Sequence, residues 1–176
     1  MPDGTFDVSV LTPESQLLAA EARAIVLRSS EGELTVLDGH TPLVTDVVPG
    51  DVRVDVADGD PVHVAVHGGY LQVETTQGTE PASGRTTRAT LLAGTAELAD
   101  EIDVARAERA RTEAEARVEE LRQQAGRSGG PGTGAAASAG EQSEGGVTAP
   151  EDLALAEAEA SLRRAEVRLE VAGARS

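Results

Sequence analysis

The spacing of apolar residues changes near Gly94, and this change limits the possible folds more than any other feature of the chain. Before Gly94, apolar and polar residues alternate in short runs, whereas after it apolar residues recur every three or four positions. Alternation is typical of half-buried strands, and the longer spacing is typical of amphipathic helices. The sequence therefore predicts an α+β protein with a sheet domain, residues 1–94, followed by a helical domain, residues 95–176.

Three segments of the first half show the strand pattern clearly. Phe6, Val8 and Val10 alternate with polar residues, and valines alternate with other residues in 52–56 and 62–66. Each run is short, and turn residues separate it from the next. Because many short strands with frequent turns favour an antiparallel β-sandwich or a small barrel, we expect the first half to form such a sandwich.

Glycine and proline positions predict the turns between these strands. Pro49-Gly50 is typical of a type II turn, in which proline fixes φ and glycine accepts a positive φ. Asp58-Gly59 predicts a two-residue type I′ hairpin. The turn-rich residues 77–87 predict the tip of an enlarged hairpin.

The second half predicts two helices joined by a long insert. From Glu97 onward, two stripes of small and apolar residues have helical spacing and predict an antiparallel helical hairpin. The first stripe is Ala107, Ala110, Ala114, Val118, Leu121 and Ala125, and the second is Leu155, Ala158, Leu162, Ala165, Leu169 and Ala172. Between them, 16 of the 25 residues in 126–150 are Gly, Ala or Ser. Such a composition cannot bury enough apolar surface to fold, so we expect a disordered, flexible insert.

Charge and composition exclude several classes of function. Arginine supplies all 15 basic residues, and 31 acidic residues give a net charge of −16, which argues against nucleic acid as a partner. The chain has no cysteine, only two aromatic residues, and three histidines too widely spaced for a metal centre. No apolar run approaches the roughly 20 residues that span a bilayer, and no signal-peptide pattern is present. Composition therefore favours a soluble protein of the cell interior without a metal.

Catalytic motifs are lacking as well. No phosphate-binding GxxxxGK loop occurs, and the many carboxylates show no spacing that would pair an acid with a base. His67-Gly68-Gly69 resembles part of an oxyanion hole, but the sequence has no GxSxG nucleophile motif to use it. The residues alone therefore indicate an interaction or regulatory protein, not an enzyme.

Residues 31–43 form the most distinctive polar segment. Glu31, Glu33 and His40 lie on turns bounded by glycine and proline, which favours a rigid exposed edge. The polar rim of an ordinary sandwich would have the same composition. The residues alone leave both a binding role and a purely structural role open.

Seven short motifs, in their order along the chain, resemble the epsilon subunits of F-type ATP synthases. Each motif is weak alone, and their order makes the resemblance specific; it covers nearly the whole chain except the region near residue 80 and the insert. The sequence departs from the family pattern at Thr35, where glycine is usual, at Asp38, where proline is usual, and at His67, where a small residue is commoner. The motifs are Leu11-Thr12-Pro13-Glu14, Glu31-Gly32-Glu33-Leu34, Gly39-His40-Thr41-Pro42-Leu43, Pro49-Gly50, Val66-His67-Gly68-Gly69-Tyr70-Leu71, Leu91-Leu92-Ala93 with Ala96-Glu97, and Glu101-Ile102-Asp103-Val104-Ala105-Arg106-Ala107.

The resemblance implies a subunit of the central rotor that has no catalytic activity of its own. In the family, the β-sandwich packs on the gamma subunit and on the c ring, so these are the implied partners of the first half. The c-ring contact maps onto Glu31, Gly32, Glu33 and His40, where acids on a rigid turn can form charge-assisted hydrogen bonds. The implied location is the cytoplasmic face of the bacterial cell membrane, with the complex holding the subunit there as a peripheral protein.

The resemblance also implies that the helical domain regulates ATP hydrolysis. In the family, the hairpin either folds against the sandwich or extends along gamma to the alpha/beta hexamer, where it blocks hydrolysis. Asp103 and Arg106 fall in the family's ATP-sensing motif, which implies a regulatory ATP but no permanent cofactor. The alternative is an ordinary i,i+3 pair on the helix surface. Two other functions stay open, a free-standing adaptor that links two proteins and a soluble ATP-sensing regulator.

Overall fold

Among the residues that the structure describes, nine strands form a β-sandwich, which is followed by one 3₁₀ turn and two helices. The fold comes from a computed structural model and is described for residues 4–77, 85–128 and 150–174. The strands are β1 (Phe6–Leu11), β2 (Gln16–Ser29), β3 (Gly32–Leu37), β4 (Leu43–Val47), β5 (Gly50–Val56), β6 (Val62–Val66), β7 (Gly69–Gln77), β8 (Arg85–Ala93) and β9 (Ala96–Leu98). The 3₁₀ turn is Ala99–Glu101, and the helices are α1 (Val104–Ser128) and α2 (Pro150–Gly173).

The strands pair in the order β4-β7-β8-β1-β2-β5-β6-β9, and β3 pairs with part of β2. The 14-residue β2 pairs with β1 through its first half and with β3 and β5 through its second half, so it links the two layers. The predicted sandwich is confirmed, but it is not wholly antiparallel, because β8 runs parallel to β1. Most of the domain separates these two strands in sequence, and a connection of that length permits either direction.

Alternate residues of the strands form the core of the sandwich. Phe6, Val8 and Val10 are each at most 3% exposed, as their spacing predicts. Val64 is fully buried in the same core. Ala65 is also fully buried, although it faces the other side of β6, because α2 covers that side.

Both predicted turn types are wrong. Gly50 is the first residue of β5 and has no positive φ, so Pro49-Gly50 is not a type II turn. The strands β5 and β6 do form a hairpin, but residues 57–61 connect them instead of two residues. Gly59 has a φ of 113° within this connection, so glycine is still needed there.

The hairpin predicted around residues 77–87 is confirmed where it is described. β7 and β8 pair antiparallel up to Gln77 and Arg85. The remaining residues of the predicted tip, 78–84, lie outside the described residues. Close to the other end of the hairpin, a Cβ on Gly69 would lie 2.2 Å from the Leu92 carbonyl oxygen, so the backbones approach as closely as they do only because residue 69 is glycine.

The first helix begins later than its spacing predicts. Ala96–Leu98 pairs with β6 as β9, so helical structure does not start near Glu97, and α1 begins only at Val104. Hydrogen bonding at the sheet edge outweighs the helical pattern over these three residues. α1 then continues through residues 126–128 of the predicted insert, and residues 129–149 lie outside the described residues.

The two helices pack against each other as the predicted antiparallel hairpin. Val118 and Leu121 in the second half of α1 pack with Ala158 in the first half of α2. Arg122 and Glu159 form an ion pair of 2.8 Å between the helices. Over the part of the chain that the structure describes, neither helix has a stretch apolar enough to cross a membrane.

α2 also packs on the sheet, through a second apolar cluster that is separate from the sandwich core. This docking cluster consists of Ala65, Ala99, Ile102, Val167 and Val171. Each of its five side chains is at most 6% exposed. The sequence pattern did not indicate Val167 and Val171, because they lie outside the predicted alanine and leucine stripe of the second helix.

Candidate functional site

Three of the predicted site residues lie at the connection between β2 and β3. We call these residues, Glu31, Gly32 and Glu33, the acidic turn. Glu31 lies in the turn, Gly32 and Glu33 are the first two residues of β3, and all three are exposed. Gly32 has a φ of 131°, a conformation that favours glycine. The Ser29 hydroxyl donates to the Gly32 carbonyl oxygen and accepts from the Glu31 N–H, both at 3.2 Å. These bonds hold the turn in one conformation while both carboxylates remain in solvent.

His40, the fourth predicted contact residue, lies at the other end of β3. Its N–H donates to the Leu37 carbonyl oxygen at 3.1 Å, and its carbonyl oxygen accepts from the Thr75 hydroxyl at 2.6 Å. Six extended residues of β3 separate the two ends, a length of roughly 17 Å. The structure therefore brings Glu31 and Glu33 together but does not bring His40 to them.

The outer face of β4, β7 and β8 carries an apolar patch that the sequence analysis missed. Val44, Tyr70 and Leu92 are 69%, 62% and 46% exposed. Tyr70 lies opposite Leu92 in one pairing and opposite Asp46 in the other, and Val44 is two residues from Asp46 on the same face. We call these three residues the outer apolar face. Large exposed apolar side chains grouped on one sheet face are typical of a protein interaction surface.

Asp103 and Arg106 lie at the start of α1. The Asp103 carboxylate accepts a hydrogen bond from the Arg106 backbone N–H at 2.9 Å, and the Asp103 carbonyl oxygen accepts from the Ala107 N–H at 2.9 Å. Asp103 is therefore the N-cap of the helix. The i,i+3 ion pair considered from the sequence is not formed between these two side chains, and within the described residues no other carboxylate forms an ion pair with the Arg106 guanidinium.

A cleft of about 400 Å³ lies beside this N-cap and joins three elements. Asp103 and Arg106 line it from α1, Glu97 lines it from β9, and Arg168 lines it from α2. The Arg168 guanidinium binds both oxygens of the Glu97 carboxylate, with Nε at 2.9 and 3.1 Å. These hydrogen bonds lower the pKa of Glu97 against the opposing effect of its burial. The cleft thus places acidic groups and two guanidinium groups, Arg106 and Arg168, on one surface.

Sequence reasoning missed Glu97 and Arg168 as site residues. They are 71 positions apart, and neither stands out among the many charged residues of the chain. Only the docking of α2 on the sheet brings them together. The site therefore depends on the contact between α2 and the sheet.

Comparison with known proteins identifies the family. Residues 5–79 match the family described as ATP synthase, Delta/Epsilon chain, beta-sandwich domain. The ATP synthase epsilon chain of Priestia megaterium is 40% identical over 115 residues, which cover 65% of this chain and 77% of that one. The epsilon chain of Desulforudis audaxviator is 37% identical over 118 residues, which cover 67% and 77% of the two chains. The chain belongs to the ATP synthase epsilon family.

Membership of the epsilon family confirms the resemblance carried by the sequence motifs. An epsilon chain is a subunit of the ATP synthase, so this protein belongs to a membrane-associated enzyme complex. A solved structure of the Euglena gracilis mitochondrial ATP synthase, comprising OSCP, F1 and the c ring, contains a chain of the same fold. The TM-score is 0.62 at 19% identity, with 100% of this chain and 87% of that chain covered.

Proposed function

We propose that this epsilon chain is a non-catalytic rotor subunit whose sandwich anchors it in the complex and whose helices regulate ATP hydrolysis. The observation that carries the proposal is the narrow contact between α2 and the sheet. The docking cluster has five apolar residues, two of them alanine, and one ion pair, Glu97 with Arg168, reinforces it. A contact of this size can be broken while the sandwich, with its own larger core, remains folded.

The outer apolar face is the proposed contact with the gamma subunit. Val44, Tyr70 and Leu92 lie on regular strands of the sandwich, so the surface they present is rigid. Replacing Val44 and Tyr70 with aspartate should abolish binding to purified gamma without unfolding the chain, since exposed residues contribute little to stability. Leu37→Asp is the matched control, because Leu37 is also exposed but lies on β3, outside this face. Equal loss of gamma binding in the control would contradict the assignment.

The acidic turn is the proposed contact with the c ring. Glu31 and Glu33 project from a turn that hydrogen bonds hold in place, and carboxylates so held can form charge-assisted hydrogen bonds to basic or amide groups. His40 is a separate candidate, because it lies at the far end of β3. A c-ring contact that used all four predicted residues would have to extend along the whole strand.

The alpha/beta hexamer is the proposed partner of the released helices. Leaving the sheet frees the apolar side chains of Val167 and Val171 to contact another surface. We propose that contact of the released hairpin with the hexamer obstructs hydrolysis. Assembling the complex with a chain that ends after Ile102 should therefore raise ATP hydrolysis. Unchanged hydrolysis would contradict regulation and leave only the anchoring role of the sandwich, at the cytoplasmic face of the membrane.

A nucleotide is the proposed ligand of the cleft between β9, α1 and α2. Arg106 and Arg168 can bind phosphate oxygens, and the carboxylates of Glu97 and Asp103 can accept hydrogen bonds from amino or hydroxyl groups. Because residues of both α2 and the sheet line the cleft, a ligand there would stabilise the docked state.

ATP should therefore raise the melting temperature of the full chain. Arg106→Gln should remove this effect, and Arg109→Gln, which replaces an exposed arginine one helical turn further along and outside the cleft, should retain it. Stabilisation by ATP that survives Arg106→Gln would place the ligand elsewhere.

A further inference from the structure

His67 follows β6 and lies at the contact between the sheet and α2. Its side chain is half-buried, and both of its ring nitrogens are buried without a hydrogen-bond partner in the part of the chain that the structure describes. His67 lines a cleft of about 340 Å³ with Pro49 of the β4–β5 connection and with Arg163 and Arg164 of α2. Docking of α2 thus encloses an imidazole that water would reach once the helix left.

Basic groups predominate around this imidazole. The charged groups that face it are Glu97 of β9 and Glu159, Arg163, Arg164 and Arg168 of α2. Both carboxylates are already bound, Glu97 by Arg168 and Glu159 by Arg122 of α1 at 2.8 Å. A neutral imidazole brings no charge into this site, whereas a protonated one would have two donors without acceptors beside several guanidinium groups.

We propose that His67 is a pH-sensitive latch of the hairpin: the docked helices require the neutral imidazole, and its protonation releases α2 from the sheet. In the released chain the imidazole lies in water and titrates near its ordinary value of 6.5. In the docked chain, burial first and the charge of Arg168 second lower the pKa of His67; Glu97 opposes them and Arg164 adds to them.

The sign of the pH effect follows from this difference. Docking has its full strength above the ordinary pKa of histidine, weakens as the pH falls through that value, and becomes constant again below the pKa of the docked state. Each pKa unit by which docking lowers the value makes docking tenfold weaker in acid. The latch is a property of the full chain by itself, and only its consequence for ATP hydrolysis rests on the proposed regulatory function.

The test measures docking in the full chain by energy transfer between two dyes. Because the chain has no cysteine, Asp58→Cys on the sandwich and Glu166→Cys on α2 provide the only labelling sites. In mild urea, the docking constant should fall between pH 8 and pH 5, and His67→Gln should remove that fall. His40→Gln is the matched control and should keep it, since the backbone of His40 binds Leu37 and Thr75 and the residue does not line the cleft of His67. An equal fall in His67→Gln and in the parent would overturn the latch.

A second variant keeps the test decisive if His67→Gln fails to dock. Arg164→Gln retains the imidazole but removes one of the charges that oppose its protonation. Acid should then weaken docking by a smaller factor than in the parent, and an unchanged factor would overturn the proposal.

The proposed regulation of ATP hydrolysis can be wrong even where the pH-sensitive latch is right. If removal of both helices leaves hydrolysis by the assembled enzyme unchanged, regulation is wrong. A pH-dependent docking constant in the isolated chain would still establish the latch.

Discussion

Replacing Val171 with alanine should weaken docking of the hairpin without affecting the fold of the sandwich. Val171 is fully buried in the docking cluster, so the change removes two methyl groups from an apolar contact between α2 and the sheet. At roughly 0.8 kcal/mol for each buried group, the transfer term alone is roughly 1.6 kcal/mol. Since about 1.4 kcal/mol changes an equilibrium tenfold, we expect a roughly 15-fold smaller docking constant. Any cavity left behind would add to this value.

The assay is the energy-transfer measurement between positions 58 and 166, followed through a urea titration at pH 8. The docking transition should move to lower urea in Val171→Ala, while unfolding of the sandwich should not move. Val118→Ala is the matched control, because Val118 is 5% exposed but packs between α1 and α2 and not on the sheet. It should loosen the hairpin and leave the contact of Val171 intact.

Two results would refute this reasoning. A docking transition that moves no further in Val171→Ala than in Val118→Ala would mean that the docking cluster does not hold the helix. Loss of sandwich stability in Val171→Ala would mean that the sheet and α2 form one cooperative unit. In the second case the docking cluster could not act as a separable contact.

Three further outcomes test other parts of the molecule. Glu31→Gln with Glu33→Gln should weaken the coupling of proton flow to ATP synthesis in reconstituted complexes, with an unchanged melting temperature of the isolated chain; a large drop in melting temperature would mark both residues as structural. A chain ending after Ile102 should melt above one ending after Gly94, because only the longer chain keeps β9 paired with β6, and equal melting would show that β9 adds nothing. The lowered pKa of Glu97 predicts that its contribution to docking is complete above its ordinary value of 4.5 and is lost as the pH falls below it, so Glu97→Gln should flatten the pH dependence there but not near 6.5.

The alternation of apolar residues predicted the sandwich well, because each strand buries one face in a single core. Phe6, Val8 and Val10 illustrate this, since their spacing alone placed them inside. The same reasoning failed for β9, where three residues with helical spacing pair with β6. It also failed for the parallel pairing of β1 with β8, because strand direction depends on the path of the whole chain and not on local spacing.

The candidate sites show the same difference: the sequence could group residues that are neighbours in the chain, but not residues that are far apart in it. Glu31, Gly32 and Glu33 form one short turn, and the sequence alone could group them. The cleft residues Glu97 and Arg168 are 71 positions apart and come together only when α2 docks on the sheet. Long-range contacts of this kind leave no periodic signal, so only the structure could pair them.

If the hairpin leaves the sheet as proposed, the strand β9 would set the point about which it turns. Its hydrogen bonds to β6 fix the chain as far as Leu98, and α1 becomes rigid from Val104 onward. Only the residues between them, including the 3₁₀ turn Ala99–Glu101, are left to change direction. A helix of 25 residues is roughly 37 Å long. α1 would therefore rotate about a fixed point near its first residue, and its far end would lie roughly 37 Å from that point. Inserting residues into the five-residue segment 99–103 would move this fixed point. The far end of α1 would then reach a different position, even with every contact residue unchanged.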